Sequence, residues 1–278
     1  MNRLVSWLSN HHRLNLTIVF VYFLVVVLPH KRFGTFLNTV VFKNVPIDEY
    51  NHLVASTFIG IIVITFIYLV SQSRRAPFDK IGWLYMIMSL LFVFLIIKYL
   101  FVINIEVVHF PQYALLAMLI YPITGNFTST LIWATLLGIL DEGYQYFYLS
   151  PDDTGYYDFN DVVTNVVGGA IGLIILRLSG INERHKTKIW KTSSGVALLV
   201  LCAVVAFTFT TGFLSLYPSE SSSYTLVEKV PESFWITIEH LHKTYHVVSP
   251  TEGILMTIGL WIFYSRIGKH EKIQDRIK

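Results

Sequence analysis

Runs of about twenty apolar residues recur along this chain, and they decide what it can fold into. A helix crossing a hydrocarbon core about 30 Å thick needs roughly 20 residues at about 1.5 Å of rise each. Eight stretches come near that length: 14–29, 52–70, 82–101, 106–123, 127–147, 157–178, 195–213 and 250–265. Short polar links join them. Only 14% of the 278 residues are charged, against about 25% in ordinary soluble domains. The expected fold is all-α, a multi-pass transmembrane helix bundle of about eight spans. Residues 1–75 would supply helices 1–2, residues 76–180 a core of helices 3–6, and residues 181–278 helices 7–8 with an outer amphipathic segment.

Several function classes fall away. The net charge is +3, but the basic residues are scattered through short links rather than gathered in a patch, so no nucleic-acid partner is expected. Cys202 is the one cysteine, which excludes a disulfide framework and a thiolate metal site. The stretch LNLTIVFVYFLVVVLP is followed by His30, Lys31 and Arg32 rather than by small residues, so it reads as a retained span rather than a cleaved signal.

Basic residues set the orientation. With the N-terminus inside, the inner segments carry 15 Lys and Arg and the outer ones 6. Positive charge concentrates on the cytoplasmic side of membrane proteins, so both termini are expected to be cytoplasmic. The link 148–156, with Asp152 and Asp153 and no basic residue, then lies outside.

Polar residues collect near that outer side. In the fifth span Asp141 lies about 21 Å from the inner end, still within the outer half of the core. Asp141 and Gln145 are spaced i, i+4, and Glu142 and Gln145 i, i+3. His109 and Tyr113 share a face of the fourth span, near Glu106. Asp161, Asn165, Gly168 and Gly172 form one stripe on the sixth, polar at its outer end and glycine below. The G-x-x-x-G pair is expected to serve helix packing. Carboxylates facing lipid cost about 2.5–3.5 kcal/mol at mid-membrane, so these should line the bundle interior. One reading makes Asp141, Asp161 and Asn165 interhelical glue, at about 0.6 kcal/mol per hydrogen bond. The other makes the cluster a functional site. Glu106, nearest solvent, reads as an ordinary loop acid.

Three elements then stand in order on successive helices: H-x-x-x-Y at His109–Tyr113, D-E-x-x-Q at Asp141–Gln145, and D-x-x-x-N-x-x-G at Asp161–Gly168. Together they resemble the VanZ-like integral membrane proteins, over about residues 80–180. That family is named for an accessory protein of glycopeptide-resistance clusters, associated with reduced susceptibility to teicoplanin. The resemblance implies a bacterial cytoplasmic membrane and a cell-envelope, lipid-linked or glycopeptide-type ligand. Two features depart from the family's pattern. Glu106 stands where a basic residue is frequent, and the link YLSPDDTGYYDFN lacks an arginine often found there.

The roles expected follow from residue chemistry. Asp141, Glu142 and His109 are candidate acid/base groups for an enzyme acting at the outer leaflet. Tyr113, Gln145, Asp161 and Asn165 would bind and orient substrate. A non-catalytic binding protein is the rival, and an ion-coupled transporter a third reading, without the usual inverted repeats. Asp141, Glu142, Asp161 and His109 could ligate a hard cation, but nothing in the spacing demands it, so no metal and no cofactor are assigned. Membrane lipid is the expected partner. His242 and His246 are spaced i, i+4 without an evident third ligand. Their segment, 214–249, is expected to lie on the outer leaflet through Phe234, Trp235 and Tyr245, as a lid over the polar site.

Overall fold

A computed structural model describes residues 1–74, 78–102, 104–149, 155–184, 188–218, 222–229, 233–239 and 243–268. The chain is 76% helical. Each expected span falls on a helix. The helices are α1 (Asn2–Asn10), α2 (His12–Val27), α3 (His30–Phe36), α4 (Phe42–Asn44), α5 (Ile47–Ser73), α6 (Lys80–Tyr99), α7 (His109–Thr124), α8 (Phe127–Tyr144), α9 (Phe159–Leu178), α10 (Ser193–Thr210) and α11 (Pro250–Tyr264).

Among the described residues, five helical segments are long and apolar enough to cross a membrane, or six if the bent pair α1–α2, angled by 106°, counts as one span. The five are α5, α6, Asn104–Thr124 (α7 with the turn before it), α9 and α10. Two expected spans miss the measure for evident reasons. α8 carries Thr128, Ser129, Thr130 and Thr135 in its first half and Asp141 and Glu142 near its end, and α11 has 15 residues. Large apolar side chains such as Phe20, Ile64, Leu199, Phe207 and Leu255 are exposed, which suits a lipid-facing surface rather than water.

The core centres on α9, which packs most extensively against α7, then α8, α6 and α11. Glycine makes that packing close. A Cβ on Gly168 would lie 2.8 Å from the Phe110 carbonyl oxygen, and one on Gly172 would meet the Ala114 backbone. At both glycines the α7 backbone lies where a side chain would stand. Pro111 is the third residue of α7, where its missing N–H costs no helical bond, so it opens that helix rather than kinking it. The opposite end of α9 is pinned by Arg177, which donates from Nη2 to Asp79 Oδ1 at 3.0 Å and from Nε to Oδ2. Asp79 also caps α6 by accepting from the Gly82 amide at 2.9 Å.

Short strands were not expected. β1 (Leu214–Ser215) pairs in parallel with β2 (Tyr224–Thr225), and β3 (Trp235–Ile238) pairs antiparallel with β4 (Lys243–His246). The described residues of segment 214–249 therefore include two small ribbons. They are fastened to the N-terminal end of α9. Asn160 Nδ2 donates to the His246 carbonyl at 2.8 Å, and the Val248 amide donates to Asn160 Oδ1 at 2.7 Å. The Tyr157 amide donates to the Leu226 carbonyl, also at 2.8 Å. Asp152 and Asp153, Phe147-to-Tyr156 link residues 150–154, His242 and the C-terminal residues 269–278 lie outside the described residues. His246 Nε2 meets Glu252 at 3.2 Å, so its partner is the first turn of α11.

Candidate functional site

Three helices bring their polar groups together at the ribbon-covered end of the bundle. α7 contributes His109 and Tyr113, α8 contributes Asp141 and Glu142, and α9 contributes Asp161 and Asn165. Gln145 opens a π-helical turn, Gln145–Leu149, that continues α8. Such turns recur at functional sites, where they re-aim side chains.

His109 is the hinge between α7 and α9. One ring nitrogen, Nδ1, lies 3.0 Å from Asn165 Oδ1, and the other, Nε2, lies 3.4 Å from Asp161 Oδ2. With Asn165 Oδ1 as acceptor, Nδ1 carries the proton and Nε2 is turned toward the carboxylates. Tyr113 stacks near the same ring and donates its hydroxyl to Asp141 Oδ2 at 3.1 Å. Gln145 Nε2 donates to Asp141 Oδ1 at 3.0 Å and to Glu142 Oε1 at 3.3 Å. Every one of the seven polar residues singled out from the sequence therefore belongs to one cluster. Glu106 stands apart, accepting from the Val102 amide at 3.1 Å, as a loop acid does.

The cluster is buried. Asp141 and Glu142 are each 2% exposed and Asn165 is 0% exposed; the Asp161 side chain retains 15%. Among the described residues no Lys or Arg is ion-paired with any of these acids. Helix dipoles treat the acids unequally. Asp161 sits in the first turn of α9, where the positive end favours it. Asp141 and Glu142 lie within the helix that α8 and its π-helical turn form together, more than a turn from its end, where the dipole has little effect.

Two contributors escaped the sequence reading. Gly138 lies one turn below Asp141 and Glu142 on the same face of α8. A Cβ there would come within 3.2 Å of both Asn165 Nδ2 and Tyr113 Cε1. The i, i+3 and i, i+4 spacing to the two acids was the available signal. Asp158 caps α9, accepting from the Asn160 and Asp161 amides at 2.9 and 3.2 Å. It lies within electrostatic reach of Glu142, Asp161 and His109. Its signal was an aspartate immediately before a helical run.

His109, Glu142 and Asp161 each offer one ligand atom, and these atoms all lie within 4.8 Å of one another. The sequence reading assigned no metal; the geometry brings together one imidazole and two carboxylates that could hold one.

Fold and site define a helical protein with apolar helices of membrane-spanning length and a buried histidine–carboxylate cluster at one end. Comparison with family models, with curated proteins and with solved structures returns no match.

Proposed function

We propose that this is an eight-span membrane protein, with α2, α8 and α11 completing the bundle. Its cluster faces the outer leaflet and receives the polar headgroup of a lipid-linked or other cell-envelope ligand. Both termini are cytoplasmic in this reading, on the strength of the basic-residue bias. The VanZ-like motif order supports the same reading and extends it to glycopeptide-type ligands and bacterial glycopeptide susceptibility.

One observation carries it. Four carboxylates, a histidine and two carboxamides converge at the ribbon-covered end of the bundle, with no Lys or Arg ion-paired to them among the described residues. Interhelical glue alone needs one or two hydrogen bonds, each of about 0.6 kcal/mol, and not an excess of buried acid. Burying ionisable groups is costly and marks function by default in membrane segments. Glu142 or Asp141 serves as acid or base with His109 as its partner. Gln145, Asn165, Tyr113 and Asp161 orient the ligand.

Lipids that co-purify with the protein, identified by mass spectrometry, test the binding step. A polar-headgroup lipid enriched in the wild type and lost in Asp161→Asn and Gln145→Ala is the expected result. An identical lipid complement in all three proteins overturns the reading. Glu142→Gln and Asp141→Asn then separate chemistry from capture. Both keep shape and remove ionisation, so turnover or glycopeptide susceptibility unchanged in both eliminates acid–base catalysis and leaves binding.

A further inference from the structure

The geometry points to a divalent-cation site of mixed nitrogen and oxygen donors, formed by His109 Nε2 with one carboxylate oxygen each from Glu142 and Asp161. It deepens the reading above and rests on its premise that the cluster is a single site.

Four observations converge. The first is geometric. The three donor atoms come from three helices and already lie within 4.8 Å of one another. Metal–ligand bonds of about 2.0–2.2 Å place neighbouring donors roughly 3–3.5 Å apart, so small side-chain rotations close the set. The second is the second layer of contacts. Ligating histidines donate their other ring N–H to an oxygen that fixes the tautomer, and ligating carboxylates are themselves hydrogen-bonded. Asn165 Oδ1 holds His109 Nδ1 at 3.0 Å, and Gln145 holds Glu142 at 3.3 Å.

The third is charge. Glu142 and Asp161 lie with Asp141 and Asp158 around one histidine, with no Lys or Arg ion-paired to them among the described residues. Buried charge of one sign calls for a counter-charge.

The fourth is an unpartnered donor. Asn165 Nδ2 is buried and has no hydrogen-bond partner. It belongs to the carboxamide that holds His109, and it lies over Gly138, in space that a side chain there would fill. Gly138 is one turn from Glu142, so this donor borders the cluster. Three protein ligands leave coordination positions open for a further oxygen donor. The donor set of one imidazole and two carboxylates suits a first-row ion such as manganese or zinc.

The test uses the full chain in nanodiscs, stripped with EDTA and titrated with Mn²⁺ while free Mn²⁺ is read by electron paramagnetic resonance. The expected result is one Mn²⁺ per chain, displaced by Zn²⁺, with affinity at least about 10-fold weaker in Glu142→Gln, Asp161→Asn and His109→Gln. Absence of bound Mn²⁺ on folded wild type, or equal affinity in folded variants, overturns the proposal. Pulsed measurement on wild type stands independently of variant folding. A single imidazole nitrogen coupled to Mn²⁺ is expected, and its absence overturns the proposal equally. The readout is bound Mn²⁺, not the identity of any bound lipid. A negative result leaves the headgroup reading intact, and an unchanged lipid complement would sink that reading without touching the cation site.

Discussion

Replacing Gly172 with alanine should separate helix packing from helix propensity with unusual sharpness. On propensity alone the change helps, by up to about 1 kcal/mol in a helix interior. Packing says the opposite. The new Cβ would lie 2.8 Å from the Ala114 carbonyl carbon and closer still to its oxygen. Both are backbone atoms of α7 and cannot swing aside. A carbon and a carbonyl oxygen sit comfortably at about 3.3–3.6 Å, so α7 and α9 must separate by roughly 1 Å. Overpacking costs about 1–3 kcal/mol and sometimes more, and here it falls on the most extensive helix pair in the chain. The net expectation is a loss of about 2 kcal/mol, or a fall in Tm of roughly 5 °C by the scaling of soluble proteins of this size. Gly169→Ala is the control on the same helix. Its Cβ would meet only side chains, the nearest being Leu131 Cδ1 at 3.4 Å. That variant should match or exceed wild type. Thermal unfolding followed by fluorescence in one detergent compares the three. If Gly172→Ala melts with Gly169→Ala, the close approach of α7 and α9 is wrong.

Other outcomes follow from the same geometry. Burial raises the Asp79 carboxyl, but the Arg177 bonds and the Gly82 amide outweigh it and hold it below its ordinary range. A depressed carboxyl stabilises above its unfolded pKa of about 3.9 and loses that contribution as pH falls through the lower folded value. The Tm gap between wild type and Asp79→Asn should therefore be flat near neutrality and shrink below about pH 4; a gap that persists in acid refutes the ion pair's role. Ser89 Oγ and the Tyr264 hydroxyl lie 2.8 Å apart in the core. Ser89→Ala and Tyr264→Phe should show a coupling of about 1 kcal/mol in a double-mutant cycle of unfolding, and strict additivity would contradict the bond. Gly138→Ala should leave the Tm within about 2 °C, because the propensity gain offsets a 3.2 Å contact. It should weaken Mn²⁺ or headgroup binding by crowding Asn165 and Tyr113, and unaltered binding would remove Gly138 from the site.

What could be read from the sequence, and what could not, divides along physical lines. Helix positions were legible because an apolar run of membrane length admits few other structures. The site was legible because burying acids is expensive, so Asp141, Glu142 and Asp161 had to find partners, and helical spacing said on which faces. Periodicity does not carry the rest. β3 and β4 join Trp235–Ile238 to Lys243–His246 through backbone pairing, and short ribbons anchored to a helix end leave little pattern in eight residues. Asp158 was not singled out, although its work, accepting from two backbone amides, is what an aspartate just before a helical run does. Gly138 is the sharper case. A glycine inside a helix weakens it by up to about 1 kcal/mol relative to alanine, and in α8 no backbone crosses near it. Gly168 and Gly172 offset that cost by letting α7 approach α9. Gly138 lets nothing approach except Asn165 and Tyr113, the side chains that hold His109 and Asp141. Its absent side chain therefore serves the cluster rather than the bundle, and the unpartnered Asn165 Nδ2 beside it is what a site, but not a packing interface, has reason to retain.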